Sequence, residues 1–314
     1  MTHTHTRGSP KAGRYLGLSV ALTLAFVVGE AVAGYFANSV ALLSDACHNF
    51  ADALALGLSW YAVWIAGRPA DAKRTYGYHR VGVIAALVNA VSLVVIALVI
   101  FWEAGQRLWS PKPVGAGLMI GVALAAVVLN AFISLWLRAD AKHDLNLRSA
   151  YVHMLGDAVA ALGVVAAGVV VLLTGWTAAD PVVSFLIGGL ILWSSWGVLR
   201  EAVNVLLEAA PAGLDMTALE QAVRGVPGVQ GVHDLHAWTV ASEMVACSCH
   251  VLVAEQSVRA GQQVQRAVAG MLREKFRVAH TTIQVEVEGC EPDEMYCTLR
   301  STAAHPGHDH GEKE

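Results

Sequence analysis

Two apolar stretches of the chain each carry an imidazole and a carboxylate four residues apart: His48 with Asp52, and His153 with Asp157. On an α-helix, residues at i and i+4 share a face one turn apart. Two such helices facing each other present two imidazoles and two carboxylates. That set is a closed tetrahedral shell for a borderline-soft divalent ion, and Zn²⁺ fits it best. The carboxylates cancel the ion's charge. Without it they repel each other and the site takes up protons, so metal and protons compete for the same atoms. A single His–Asp pair in an apolar helix is often a structural hydrogen bond, whereas two pairs of identical spacing favour a metal site. Asp45 shares the face of His48 at i,i+3. It is a candidate for lining a pathway or for accepting a hydrogen bond behind the ligands. Glu30 and Glu103 are candidate pathway carboxylates, Glu103 lying near an outer end where it could simply face water, and Cys47 reads as packing.

These groups matter because of where they lie. The chain has 314 residues, 55% hydrophobic and only 15% charged, against about a quarter charged in an ordinary globular domain. Six apolar runs are each long enough to span a bilayer, which takes about 20 residues. They are residues 15–36, 40–65, 81–108, 114–137, 150–173 and 182–207. Turn and breaker residues separate them: Ala37-Asn38-Ser39, the polar loop 68–80, Pro111 and Pro113, the loop 138–148, and Gly175 with Asp180-Pro181. An ionisable side chain inside such a span costs about 2.5–3.5 kcal/mol on insertion scales, so five of them in two spans need a function. With the N-terminus inside, the inner segments hold Arg7, Lys11, Arg14, Arg68, Lys73, Arg74, Arg80, Arg138, Lys142, Arg148 and Arg200, and the outer loops only Arg107 and Lys112. That bias predicts cytoplasmic N- and C-termini. The first run is too long for the apolar core of a cleavable leader and reads as a span.

The apolar character stops near Glu208. Residues 1–208 carry a net +2 and residues 209–314 a net −6, so a small acidic domain follows the membrane domain, with no support for nucleic-acid binding. The pattern predicts helix, strand, strand, helix and strand at 215–224, 229–240, 243–254, 258–276 and 280–288, the last from the alternation of Ile283, Val285 and Val287. The fold class is therefore an all-α six-helix transmembrane domain (15–208) plus a small α+β cytoplasmic C-terminal domain (209–290). A cytoplasmic N-terminal arm (1–14) and a polar tail (291–314) flank them. Four of the five Cys fall in the C-terminal part, where cytoplasmic thiols stay reduced. His3 and His5, and His305, His308 and His310, suit either metal-capturing tails or inert solvated ends.

Four stretches resemble the cation diffusion facilitator family, in the branch of bacterial exporters that confer zinc, cadmium or cobalt resistance. They are Ser44-Asp45-Ala46-Cys47-His48-Asn49-Phe50-Ala51-Asp52, Tyr76-Gly77-Tyr78-His79-Arg80, His153-Met154-Leu155-Gly156-Asp157, and Val232-His233-Asp234-Leu235-His236-Ala237-Trp238. The likeness runs from about Tyr15 to Glu288. It implies a homodimer in the plasma (inner) membrane that exports Zn²⁺ against entering H⁺, with His48, Asp52, His153 and Asp157 as the transport ligands. In that family an Asp in place of the first His goes with broader metal choice, so His48 favours Zn²⁺. The resemblance also implies regulatory metal sites in the C-terminal domain. The best-matching positions are His233, His250 and Glu286, with Gln284 where some relatives have His, and sulfur from Cys290 or Cys297 as a further donor. A loop site would use His79 and Asp71, although Gly82 stands where the family often has Glu.

The expected activity is thus a secondary antiporter with zinc as cargo, zinc as a possible regulatory ion, and no organic cofactor. The chain has no Gly-x-x-x-x-Gly-Lys segment to point to ATP as the driver. A membrane metal sensor would leave the polar lining of the spans unexplained. A passive metal channel differs by carrying ions without proton movement. An intramembrane zinc enzyme would keep one metal position open for water, against four protein ligands here.

Overall fold

In a computed structural model, residues 10–138, 145–241, 244–288 and 295–296 are described, without the side chains of 10–23, 136–137 and 145–150. Cys290, Cys297, His143 and the terminal histidines lie outside them. The chain divides into two compact units, residues 1–203 and 204–314.

The first unit is built from six helices: α1 (Pro10–Ala37), α2 (Val40–Ala66), α3 (Val81–Trp109), α4 (Ala116–Leu137), α5 (Leu145–Thr174) and α6 (Ala179–Leu206). Among the described residues, α3, α4, α6 and Tyr151–Thr174 of α5 are long and apolar enough to cross a membrane. Of α1, the part with described side chains is the apolar segment Leu24–Ala37. The polar residues Asp45, His48, Asn49 and Asp52 dilute the hydropathy of α2. The protein is an integral membrane protein, and its outward-facing surface is correspondingly apolar. Tyr35, Phe36, Trp109 and Trp176 are exposed near one end of the bundle, and Trp60 and Trp64 near the other, as in the aromatic belts of membrane interfaces.

Inside, the helices meet through small residues. Ala33, Ala37, Ala41, Ala97, Ala123 and Ala167 are buried together with Leu42, Met119 and Val164. Small side chains let backbones approach closely where no water drives association. At Gly168 a Cβ would sit 2.6 Å from Ile120 Cγ1, and at Gly188 2.6 Å from Phe101 Cε1.

Three turns gather at one end. Gly115 N–H donates to Ala37 O at 2.7 Å, and Asn38 Nδ2 donates to Pro113 O at 3.0 Å. Asn38 itself is left-handed, with φ of 51°, a conformation Asn tolerates. Its carbonyl and its side-chain oxygen both receive the buried guanidinium of Arg107, the latter at 2.9 Å. Asp180, in the first turn of α6, accepts from Ser39 Oγ (2.5 Å), Val40 N (2.8 Å) and Ala41 N (3.2 Å). Those donors are the start of α2, whose free N–H groups and dipole favour an anion. Ser39 Oγ in turn accepts from Leu42 N, capping the same helix. This end, marked by Ala37, Asp180 and Thr174, fixes the direction of α2, α5 and α6.

The second unit is the C-terminal α+β domain: α7 (Met216–Arg224), β1 (Val229–Ala241), β2 (Met244–Val253), α8 (Val258–Phe276) and β3 (Val278–Glu286). The sheet order is β1-β2-β3, with β1 antiparallel to β2 and β3 parallel to β2 after the α8 crossover. Leu219, Val223, Leu235, Val251, Val268 and Leu272 close its core. One expectation shifts here. β3 begins and ends two residues early, because its ladder on β2 runs from Val278 to Glu286, and Val287 is exposed beyond it. Cys247 and Cys249 point into the core as free thiols. Their mutual hydrogen bond lowers the Cys247 thiol below its ordinary value and raises Cys249, which burial pushes up further.

Candidate metal centre

The i,i+4 spacing on α2 and α5 brings four side chains into one ring. His48 Nε2 lies 3.6 Å from Asp52 Oδ2 and 3.6 Å from Asp157 Oδ1. His153 Nε2 lies 3.3 Å from Asp52 Oδ2 and 3.6 Å from Asp157 Oδ2. Imidazoles and carboxylates alternate, and each imidazole reaches both carboxylates. Donor atoms about 2.0–2.1 Å from a tetrahedral ion stand about 3.3–3.4 Å apart, so the edges of the ring are close to metal-shell dimensions. Its diagonals are wider: among the described residues, the trio His233, His250 and Glu286 is the one whose donor atoms all lie within 4.8 Å of one another. The two imidazole rings are edge-on, centroids 6.1 Å apart.

Exposure across the ring is graded. The side chains of His153 and Asp52 are 43% and 27% exposed, those of His48 and Asp157 18% and 6%. On each helix the more buried member is the one nearer the Ala37 end. The ring is therefore open at the end that bears the 68–80 loop and closed at the other.

Asp45 is not in the ring. It is buried, and neither of its oxygens has a hydrogen-bond partner, nor does His48 Nδ1. Reading Asp45 as the acceptor behind His48 is thus overturned, because its carboxylate turns toward Glu30 on α1. Cys47 is exposed rather than packed, since it lies off the buried face of α2. Glu103 is held by Arg107 Nε at 3.0 Å and so belongs to the clamp around Asn38.

The loop site is not assembled. Asp71 accepts from Tyr78 Oη at 2.7 Å and from Lys73 N and Arg74 N at 2.8 Å each. These bonds, that of Tyr78 first, hold its carboxyl below the ordinary range. They commit Asp71 to the turn rather than to His79, and no group of metal donors gathers at His79 among the described residues.

In the C-terminal domain the ladder does the positioning. His233 and His250 are direct partners across β1 and β2, and Glu286 ends β3 opposite Leu252. His233 Nε2 lies 3.2 Å from Glu286 Oε2, and His250 Nδ1 lies 3.1 Å from Glu286 Oε1. Both nitrogens of the buried His233 ring lack a hydrogen-bond partner. Gln284 Nε2 donates to Glu286 Oε1 at 2.6 Å, so it supports the trio. Asp234 is added to these residues by the structure. It sits at φ 49° in a register shift of β1, which swings its carboxylate to His236 Nε2 (3.0 Å) and His250 Nε2 (3.6 Å). In the sequence it is marked only by its place between His233 and His236 within the family-like stretch Val232–Trp238.

Comparison with known proteins agrees over both units. Residues 16–207 match the cation efflux transmembrane domain, and residues 211–288 match the cytoplasmic domain of cation efflux proteins. The zinc transporter ZitB of Shigella flexneri is 36% identical over 99% of this chain and its own full length. The metal cation efflux system protein CzcD of Cupriavidus metallidurans is 36% identical, covering 92% of this chain and 90% of its own. A cadmium, cobalt and zinc/H⁺-K⁺ antiporter of Bacillus subtilis is 32% identical, covering 93% and 94%.

Proposed function

The chain belongs to the cation diffusion facilitator family of cation efflux transporters, and on that premise we propose that it exports Zn²⁺ from the cytoplasm in exchange for protons through the His48–Asp52–His153–Asp157 ring. The family is one of transporters, not enzymes, and metal cation efflux is its activity. The observation that carries the finer reading is the closed alternation of two imidazoles and two carboxylates at 3.3–3.6 Å.

The cycle follows from the chemistry of those atoms. With the basic-rich end in the cytoplasm, the open side of the ring faces the cytoplasm. Zn²⁺ enters there, meets His153 and Asp52 first, and draws the four donors inward. The bound shell is neutral, which suits a site of low dielectric. Release at the Ala37 end needs the ion displaced, and protons do this by taking the same lone pairs. The Bacillus subtilis relative, a cadmium, cobalt and zinc/H⁺-K⁺ antiporter, supports a counter-cation. Movement of helices against one another then exposes the ring to the other side.

We assign the trio His233, His250 and Glu286, with Asp234 beside it, to a regulatory zinc site in a cytoplasmic domain that pairs two copies of the chain in the inner membrane. The buried His233 ring, whose Nε2 faces Glu286 and whose nitrogens make no hydrogen bond, supports that assignment.

The reading is tested in a zinc-sensitive bacterium that lacks its own exporters. The parent chain is expected to restore growth on zinc and lower cell zinc, and Asp157→Asn to do neither at equal membrane abundance. Full protection by Asp157→Asn would remove the ring from transport.

A further inference from the structure

One pair of buried groups is left over once the ring is accounted for. Glu30 on α1 and Asp45 on α2 are each only 1% exposed. Other buried carboxylates of this unit are provided for: Asp180 has three donors, and Asp157 has two imidazoles. Glu30 receives one hydrogen bond, from Asn49 Nδ2 to Oε2 at 3.2 Å. Its Oε1 and both oxygens of Asp45 are buried with no hydrogen-bond partner. The two carboxyls act on each other, and the other charged groups that act on the pair are His48 and Asp157. Two carboxyls buried against each other in an apolar bundle are costly unless a shared proton or a cation joins them.

Their place along the helices gives the pair a direction. Asp45 is one turn, about 4.5 Å, nearer the Ala37 end than His48. The exposure gradient of the ring falls toward that same end and reaches its minimum at this pair. An ion leaving His48 and Asp157 away from the open side meets Glu30 and Asp45 next.

We infer that Glu30 and Asp45 form a second station for the transported divalent cation, on the exit side of the four-ligand ring. This rests on the reading above that the ring holds the cargo. The station is oxygen-only. Oxygen donors hold a borderline-soft ion such as Zn²⁺ less firmly than a shell with two imidazoles, which suits brief residence on the way out. Two carboxylates also match the charge of one divalent ion.

The test compares the full-length parent with Glu30→Gln, Asp45→Asn and the double variant. These amides keep size and burial but remove the charge. In proteoliposomes, the double variant is expected to lose about tenfold or more in kcat for zinc while its half-saturating zinc stays within about twofold, because entry to the ring is untouched. Equilibrium binding of radioactive zinc supplies the second arm, in full-length protein whose ring and C-terminal trio are disabled by H48A, D157N, H233A, H250A and E286Q. Adding E30Q and D45N to that protein is expected to remove zinc binding that persists without them. Identical binding with and without the pair would overturn the station. Intact zinc flux with lost proton movement would also overturn it, by making the pair a proton carrier. If the parent moves no zinc at all, the transport reading fails, and the binding arm still decides the station.

Discussion

Each imidazole of the ring is shared between both carboxylates, so the charge of the site is set by all four groups together. Replacing His48 by Asp takes the zinc-loaded shell from neutral to a net −1 and from two nitrogens to one. Carboxylate-rich shells suit harder ions such as Mn²⁺. We therefore expect His48→Asp to raise Mn²⁺ uptake relative to Zn²⁺ by about tenfold, or 1.4 kcal/mol, in a competition assay. An unchanged ratio would show that His48 does not select the ion. Asp71 offers a separate test in the 68–80 loop. Its carboxyl is held below its ordinary value of 3.8, first by the Tyr78 hydroxyl. A depressed folded-state value means that the contribution of Asp71 to loop order is complete at neutral pH and fades as the pH falls below 3.8 toward the depressed value. Amide protection of Lys73 and Arg74 in hydrogen exchange should be high at neutral pH and fade only as the pH falls below 3.8, and Asp71→Asn should lack it throughout.

At the scale of elements, the position of α2 decides whether a ring forms at all. Asp180 of α6 fastens the first turn of α2 through three donors, and Arg107 of α3 fastens the turn before it. Asp180→Asn keeps the shape but loses charge-assisted bonds worth about 1.5–3 kcal/mol in all. It should lower the melting temperature of the solubilised protein and slow zinc transport together. Normal transport at a lowered melting temperature would separate the clamp from the ring. None of this clamp was legible in the sequence, where Asp180-Pro181 reads only as a breaker. Its partners are 139–141 residues away, and local spacing carries no sign of them. The opposite holds for His48, Asp52, His153 and Asp157. Helical periodicity alone puts each pair on one face, and a shared cation is the simple reason to bury four such groups. Asp45 shows where that logic stops: periodicity gives its face correctly, but not that its carboxylate turns to a neighbouring helix.

At the scale of the whole molecule, the division into a helical membrane unit and an acidic α+β unit was readable from hydropathy and charge, and the order helix-strand-strand-helix-strand from periodicity. The left-handed turn at Asp234 and the end of β3 at Glu286 were not, because both depend on the register of β2 between its neighbours. The C-terminal trio should make stability depend on zinc. Added at about a hundred times its dissociation constant, zinc should stabilise the full chain by about 2.7 kcal/mol. In a protein whose ring is disabled by Asp157→Asn, the resulting rise in melting temperature should vanish on His233→Ala. A rise that survives His233→Ala would place the stabilising zinc elsewhere.

The most direct test of the account is simultaneous recording of zinc and pH in proteoliposomes holding the parent chain or Asp157→Asn. Zinc loaded on the cytoplasmic face should enter as protons leave, faster when a proton gradient favours their exit, and both signals should be absent in Asp157→Asn. Because the ligands must shed protons to take the metal, apparent zinc affinity should fall as the pH is lowered. Zinc flux without opposing proton movement, or flux that persists in Asp157→Asn, would contradict the account.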